Sequence, residues 1–255
     1  MIASQPLSLP VVETFHSLQG EGLHAGRSAF FIRLAGCDVG CPWCDTRHSW
    51  ELEAHPCRSL AELAQELAEA AAAGAAFAVI TGGEPLQHEL GPLCEALAAA
   101  AAQLPLHLET SGAAPLHLSG RFAWITLSPK RHRPPSPELL AACDELKVVV
   151  HEPADLVFAE AMAAEAIAAR GAAMGAALPA ATAVQAGAGA RRAPVTGGGL
   201  DSGAAALRSP RSGGPALLLQ PGWNCRRGQE LAVDFVRRHS TWRLSLQSHK
   251  WLGVR

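Results

Sequence analysis

The sequence predicts an α/β fold built on a mostly parallel sheet. Three observations carry that prediction. Apolar runs of strand length recur along the chain, stretches with helical spacing fall between several of them, and polar motifs follow the strand ends one after another. Residues 11–16 read as a first strand and residues 29–34 as a second. Leu60, Leu63 and Leu67 then share one helical face, with Glu62, Glu66 and Glu69 on the other. Residues 77–81 form a short apolar run that ends in Gly82-Gly83, and a helix is expected over 86–101. Further strands are expected over 106–110, 123–127, 145–150, 217–220 and 243–247. Parallel sheets of this kind gather ligands at the carboxyl ends of their strands. The polar motifs of this chain sit at those ends.

Composition narrows the class. Hydrophobic residues make up 49% of 255 residues and charged residues 17%, a globular composition enriched in alanine. A formal net charge of −2 gives no basic field for nucleic acid. No apolar run is long enough to cross a bilayer, because Glu69 and Gln103 interrupt the alanine-rich stretches. The segment from Met1 to Pro6 does not read as a secretion signal. Seven cysteines, three of them within eight residues, suit a metal site in a reducing compartment better than a disulfide framework, so a cytosolic setting is expected. Residues 171–215, mostly Ala and Gly with no aromatic residue, are expected to be a flexible insertion within a single domain spanning 1–255.

Cys37, Cys41 and Cys44 have the spacing C-x3-C-x2-C, with Gly36 and Gly40 allowing tight turns. Thiolates are the usual ligands of iron–sulfur clusters, and three of them leave one iron of a cubane free for a substrate. The competing reading is a closed zinc site completed by His48 or Cys57. That pattern usually pairs two short hooks, whereas here there is one. Cys57, Cys94, Cys143 and Cys225 stand alone and read as small packing residues. Thr81-Gly82-Gly83-Glu84-Pro85 follows a strand; its glycines permit close backbone approach, and Glu84 can accept from an ammonium group.

With an aromatic residue, Trp43, before its last cysteine, the triplet resembles the radical S-adenosylmethionine (SAM) superfamily. The resemblance implies a partial (β/α) barrel, a 4Fe–4S cluster on Cys37, Cys41 and Cys44, and SAM as the source of a 5′-deoxyadenosyl radical. Further strings are similar to the 7-carboxy-7-deazaguanine synthases: Ser17-Leu18-Gln19-Gly20-Glu21-Gly22, Phe31-Ile32-Arg33-Leu34-Ala35-Gly36-Cys37, Cys44-Asp45-Thr46, Glu109-Thr110-Ser111-Gly112, Ser128-Pro129-Lys130, Leu219-Gln220-Pro221 and the stretch from Leu246 to Gly253.

That family implies a carbon–nitrogen lyase of 7-deazapurine (queuosine-type) biosynthesis. It converts 6-carboxy-5,6,7,8-tetrahydropterin to 7-carboxy-7-deazaguanine by hydrogen abstraction, ring contraction and loss of ammonia. It also implies residue roles. Gly82, Gly83, Glu84, Gly112, Ser128, Pro129, Lys130 and Gln220 fall toward SAM. Leu18, Gln19, Gly20, Glu21, Arg33, Thr110 and His249 fall toward the pterin, and Thr46 toward Mg²⁺. Among these, Arg33 has an argument of its own: an unpaired guanidinium in an apolar strand is costly, which favours a carboxylate ligand, and a surface ion pair is the competing reading. A capping role competes at Thr46 and an ordinary turn at Gln19 and Glu21.

A flavodoxin or ferredoxin donor and a homodimer are implied as well, with neither nucleic acid nor membrane as partner. The sequence leaves open whether Arg255 reaches the substrate pocket. Two alternatives share the triplet: a radical activase acting on a partner protein, and a non-enzymatic metal-binding module.

Overall fold

The computed structural model describes residues 7–176 and 214–255. Nine strands form one sheet: β1 (Ser8–Leu18), β2 (Ser28–Leu34), β3 (Cys57–Ser59), β4 (Ala78–Gly82), β5 (Leu106–Thr110), β6 (Trp124–Leu127), β7 (Glu145–Val150), β8 (Ala216–Pro221) and β9 (Trp242–Leu244). Their order is β3-β1-β2-β4-β5-β6-β7-β8-β9. From β2 to β9 every neighbouring pair is parallel, whereas β1 runs antiparallel to both β2 and β3. The sheet is therefore a partial barrel extended at one edge by a hairpin. The helices are α1 (Leu60–Ala72), α2 (Gly91–Ala100), α3 (Pro137–Ala142), α4 (Pro153–Ala176), α5 (Arg226–Arg238) and α6 (Ser248–Leu252).

Period-2 alternation assigns the two faces of the sheet. Phe30, Ile32 and Leu34 of β2 join Leu63 and Leu67 of α1 and Leu93 and Leu97 of α2 in the main core. Their alternates Ala29 and Phe31 turn to the concave side, where they pack with Phe77 and Val79. Arg33 is the next residue on that side, and it lines a cavity there. One strand thus carries a hydrophobic core on one face and part of a polar site on the other.

Local chemistry fixes the ends. Ser59 and Glu62 close a capping box on α1: Ser59 Oγ accepts from Glu62 N, and Glu62 Oε2 accepts from Ser59 N at 2.8 Å. Glu66 is less exposed than its helical face predicts, since it accepts from Thr14 Oγ1 at 2.6 Å and pairs with Arg58.

Several boundaries differ from the sequence reading. The expected helix over 86–101 is a 3₁₀ turn at Pro85–Gln87 followed by α2, because Gly91 and Pro92 restart the helix. Strand β3 was not foreseen; three residues carry too little periodicity to be read. The last strand covers Trp242–Leu244 rather than the expected 243–247, and α6 begins at Ser248. Of the stretch read as an insertion, residues 171–176 continue α4, and most of the remainder lies outside the described residues. Among the described residues no helix is long and apolar enough to cross a membrane.

Leu108 of β5 is fully buried between the sheet and its helices. Leu108→Ala is expected to destabilise the protein by about 2–5 kcal/mol. Urea denaturation monitored by circular dichroism measures this, and a change below 1 kcal/mol would contradict the assignment of the main core.

Candidate active site

A cavity of about 640 Å³ opens where the parallel strands end. It falls in the size range of small-molecule sites. Its walls take in every candidate residue from the sequence except Gly112 and Pro129. Gly112 lies behind the wall with φ +63°, and a Cβ there would fall 2.4 Å from Leu127 Cδ1. Its conformation shapes the turn after β5 and puts nothing into the cavity.

The cysteine loop leaves β2 and is pinned from three sides. Gly36 N donates to Ser49 O at 2.7 Å, and Cys37 N donates to Trp50 O at 3.2 Å. Glu84 N donates to Gly36 O at 2.7 Å, so the strand end of β4 lies flush against the loop. That approach demands Gly83, since a Cβ there would fall 2.3 Å from Gly36 O and 2.9 Å from Cys37 Cβ. The loop after β6 supplies the third side, with Arg133 Nη1 donating to Asp38 O at 2.7 Å. Trp43 packs on His151 with ring centroids 5.0 Å apart.

The three thiols suit an iron–sulfur cubane. All line the cavity, and burial raises the pKa of Cys37 and Cys41, so ligation and deprotonation are coupled there. Among the described residues no three His, Cys, Asp or Glu side chains gather as ligands of one ion. A cubane takes each thiolate on a different iron, and one loop supplies three thiols here. His48 does not line the cavity, and Cys57 is exposed on β3.

Glu84 is almost fully buried and tied to the protein. Oε1 accepts from Leu86 N at 3.1 Å and from Thr110 Oγ1, and Oε2 accepts from Ser111 N at 2.8 Å and from Ser111 Oγ. A carboxylate has about four acceptor positions, and these four donors fill them. Glu84 therefore rivets the end of β4 to the end of β5, and an ammonium group would have to share oxygens that already accept four hydrogen bonds.

At Arg33 the structure holds the competing ion pair: its Nε donates to Glu13 Oε1 at 3.0 Å across the β1–β2 pair. Its terminal nitrogens have no hydrogen-bond partner among the described residues. Thr46 precedes a 3₁₀ turn without capping it, and its hydroxyl lies 3.6 Å from Cys44 Sγ on the cavity wall. The capping alternative for Thr46 is not what the structure holds.

A buried charge cluster is built into the cavity wall, and of its members the sequence analysis assigned a site role to Glu21 alone. Lys147 of β7 forms an ion pair with Glu21. Burial pushes the Glu21 carboxyl up, but the Lys147 ammonium, joined by hydrogen bonds from Lys147, Gln247 and Gln220, outweighs it and holds the pKa at about 2. Burial alone lowers the pKa of Lys147, yet Glu21, Glu109 and Glu145 together raise it. Glu109 accepts from Gln19 Nε2 at 2.9 Å and from Thr81 Oγ1 at 3.0 Å. Glu145 accepts from Leu23 N at 3.0 Å, and burial raises its pKa. One signal was available: Glu145 and Lys147 are charged alternates in a strand otherwise apolar on both faces.

The segment after β9 closes the remaining side. Gln247 Nε2 donates to Glu21 Oε1 at 2.9 Å, Ser248 N and Oγ donate to Gly20 O, and Lys250 pairs with Asp45 beside the cysteine loop. His249 lies on Gly20, where a Cβ would fall 2.0 Å from its Nδ1. Burial lowers the His249 pKa, which favours the neutral imidazole. Lys130 donates to Ser128 Oγ at 2.8 Å, and its pKa is also lowered by burial.

Comparisons with known proteins agree with this arrangement. Residues 31–129 match the family model of the radical SAM superfamily. The chain is 46% identical over 251 residues to the 7-carboxy-7-deazaguanine synthase of Prochlorococcus marinus, covering 96% of this chain and 98% of the relative. It is 42% identical over 249 residues to the enzyme of that name from Synechocystis, covering 98% and 95%. The crystal structure of QueE from Escherichia coli superposes with a TM-score of 0.67 at 26% identity, covering 95% of each chain. Neither the activase nor the metal-module alternative is favoured by these matches.

The Lys147–Glu21 pair has a pH signature. A carboxyl depressed from 4.5 to about 2 contributes stability that is complete above about pH 4.5 and is lost as the pH falls toward 2. In Lys147→Met the Glu21 carboxyl is buried without its counter-charge, so its pKa moves up and that contribution reverses sign. The variant is expected to be about 3–5 kcal/mol less stable near neutral pH. In urea denaturation the gap should narrow below about pH 4.5; a gap independent of pH would contradict the pairing.

Proposed function

The chain belongs to the 7-carboxy-7-deazaguanine synthase family, and from that premise we infer that it converts 6-carboxy-5,6,7,8-tetrahydropterin to 7-carboxy-7-deazaguanine with loss of ammonia. It is a radical SAM enzyme of the lyase type. One observation carries the reading. The cysteine triplet, the Gly82-Gly83-Glu84 motif and the Gln19-Gly20-Glu21 string, remote in sequence, line one cavity.

The proposed division of labour follows from the walls of that cavity. Cys37, Cys41 and Cys44 would hold the 4Fe–4S cluster. When bound, cluster and SAM together supply a 5′-deoxyadenosyl radical that takes hydrogen from the carbon bearing the substrate's carboxylate. The main chain at Gly82 and Gly83 faces the cavity beside the cysteine loop and suits the amino end of SAM, with Glu84 as buttress rather than ligand. Ser128, Lys130 and Gln220 line the same cavity and are assigned to the rest of SAM. Gly112 is assigned to SAM through the turn it shapes after β5, and Pro129 as the neighbour of Ser128 and Lys130.

Leu18, Gln19, Gly20, Glu21, Thr110 and His249 are assigned to the pterin. Lys147 keeps Glu21 ionised, so Glu21 only accepts, which suits the N–H donors of an aminopyrimidinone edge. A neutral His249 can donate or accept without adding charge. Arg33, with its terminal nitrogens free among the described residues, suits the substrate carboxylate. Thr46 is proposed as a Mg²⁺ ligand. Mg²⁺ prefers carboxylates and water, so the substrate carboxylate and waters would complete its shell. The reading further includes a flavodoxin or ferredoxin as one-electron donor, a homodimer, a cytosolic setting and one radical SAM domain over residues 1–255.

Anaerobic reconstitution with iron and sulfide, followed by SAM, reductant and the tetrahydropterin, is expected to give 7-carboxy-7-deazaguanine detectable by mass spectrometry. SAM cleavage without that product would remove the substrate assignment and leave the superfamily standing. Cys41→Ala is expected to abolish SAM cleavage to 5′-deoxyadenosine under the same conditions.

A further inference from the structure

Glu13 stands at an irregular point of the sheet. The register between β1 and β2 shifts between Val11 and Glu13, so that Val11 pairs with Leu34 and Glu13 with Arg33. Two residues of β1 advance against one of β2, which is a β-bulge. Val11 and Leu34 both face the helices in the main core. Without the bulge, Glu13 would sit opposite Ile32, on that apolar side. With it, the Glu13 carboxylate meets the Arg33 guanidinium on the concave side. Beyond it, Phe15 and Phe31 stack with ring centroids 4.8 Å apart.

The same carboxylate takes a second guanidinium. Gly253 caps α6 in the left-handed conformation, with φ 65° and ψ 24°. Val254 N then donates to His249 O at 3.1 Å, which folds the chain back over the helix. Arg255 is carried to the cavity wall, where its Nη1 donates to Glu13 Oε2 at 2.5 Å. Glu13 thus gives one oxygen to each arginine. Among these three side chains, two positive charges meet one negative charge. Arg33 uses only Nε and Arg255 only Nη1, so each guanidinium keeps donors for another partner.

We propose that Arg255 is a second guanidinium for the carboxylate of the tetrahydropterin, acting beside Arg33, with Glu13 as the bridge that orients both. This rests on the substrate reading above. The chemistry is that of carboxylate recognition. Planar forks match two oxygens, and two guanidinium groups sharing one carboxylate keep N–H donors that suit a further carboxylate better than the neutral rings of the same molecule. SAM also carries a carboxylate, and the test separates the two sources. Arg255 is the more exposed partner, its side chain 71% accessible against 19% for Arg33. Its contribution is accordingly to substrate binding and selectivity, with little effect on folding.

The reconstituted holoenzyme tests this with Arg255→Gln, which removes the charge and the fork and keeps a polar side chain. The expected result is a rise of about tenfold in KM for the tetrahydropterin, with kcat within about twofold and KM for SAM unchanged. Equilibrium binding of the tetrahydropterin to the SAM-loaded, unreduced enzyme should weaken by the same factor. The 6-carboxamide analogue should bind wild type and Arg255→Gln equally. Arg255→Lys should restore only part of the affinity, because an ammonium supplies charge without the fork.

An unchanged KM and Kd for the tetrahydropterin in Arg255→Gln, or a change confined to SAM, would overturn the proposal while wild-type turnover kept the substrate reading intact. A wild type that neither binds nor converts the tetrahydropterin would overturn both.

Discussion

Lys147 is 5% exposed on the concave side of the sheet, and three carboxylates lie close enough to hold its charge. A buried ammonium without partners is heavily penalised, so its position dictates what surrounds it. Each carboxylate is in turn fixed by something else. Glu21 is held by Gln247 of the returning segment, Glu109 by Gln19 and Thr81, and Glu145 by the backbone of Leu23. Through these bonds one charge on β7 ties together the β1–β2 connection, the ends of β4 and β5, and the segment after β9. The floor of the cavity is therefore a polar lattice whose parts constrain one another.

Above that floor the walls are set by backbone rather than by charge. Gly83 lets the end of β4 press against the cysteine loop, and Glu84 fastens that end to Thr110 and Ser111. The loop that would carry the cluster is consequently braced by the neighbouring strands. Radical chemistry demands this, since the reactive carbon must be held in place and water kept out. The His249 ring on Gly20 and the Lys250–Asp45 pair bring the returning segment over the same space. Cluster loop, pterin wall and closing segment thus meet through named contacts, although they come from opposite ends of the chain.

Much of this was legible in the residues. The spacing of Cys37, Cys41 and Cys44 dictates a three-thiolate loop whatever surrounds it. The alternation of apolar strands and helices placed Thr81–Glu84, Glu109–Gly112 and Ser128–Lys130 at strand ends, where the cavity is found. Less legible were features that depend on contacts remote in sequence. That Glu84 already has donors was hidden because Thr110 and Ser111 are 26 and 27 residues away. Whether Arg33 is paired stayed open because its partner, Glu13, lies on the neighbouring strand. Lys147 and Glu145 stand out only as charged alternates in an apolar strand; that Glu21 and Glu109 answer Lys147 depends on contacts remote in sequence.

The sequence by itself determined the class of chemistry and the strands whose ends would carry it. Local spacing sets the number of thiolates, and period-2 alternation sets which residues share a face. The tertiary structure alone decided which polar groups are already engaged and which remain for a ligand. Hydrogen-bond satisfaction is a property of the assembled sheet. Only when β1 shifts register against β2, and the chain after α6 folds back, do Glu13, Arg33 and Arg255 become neighbours.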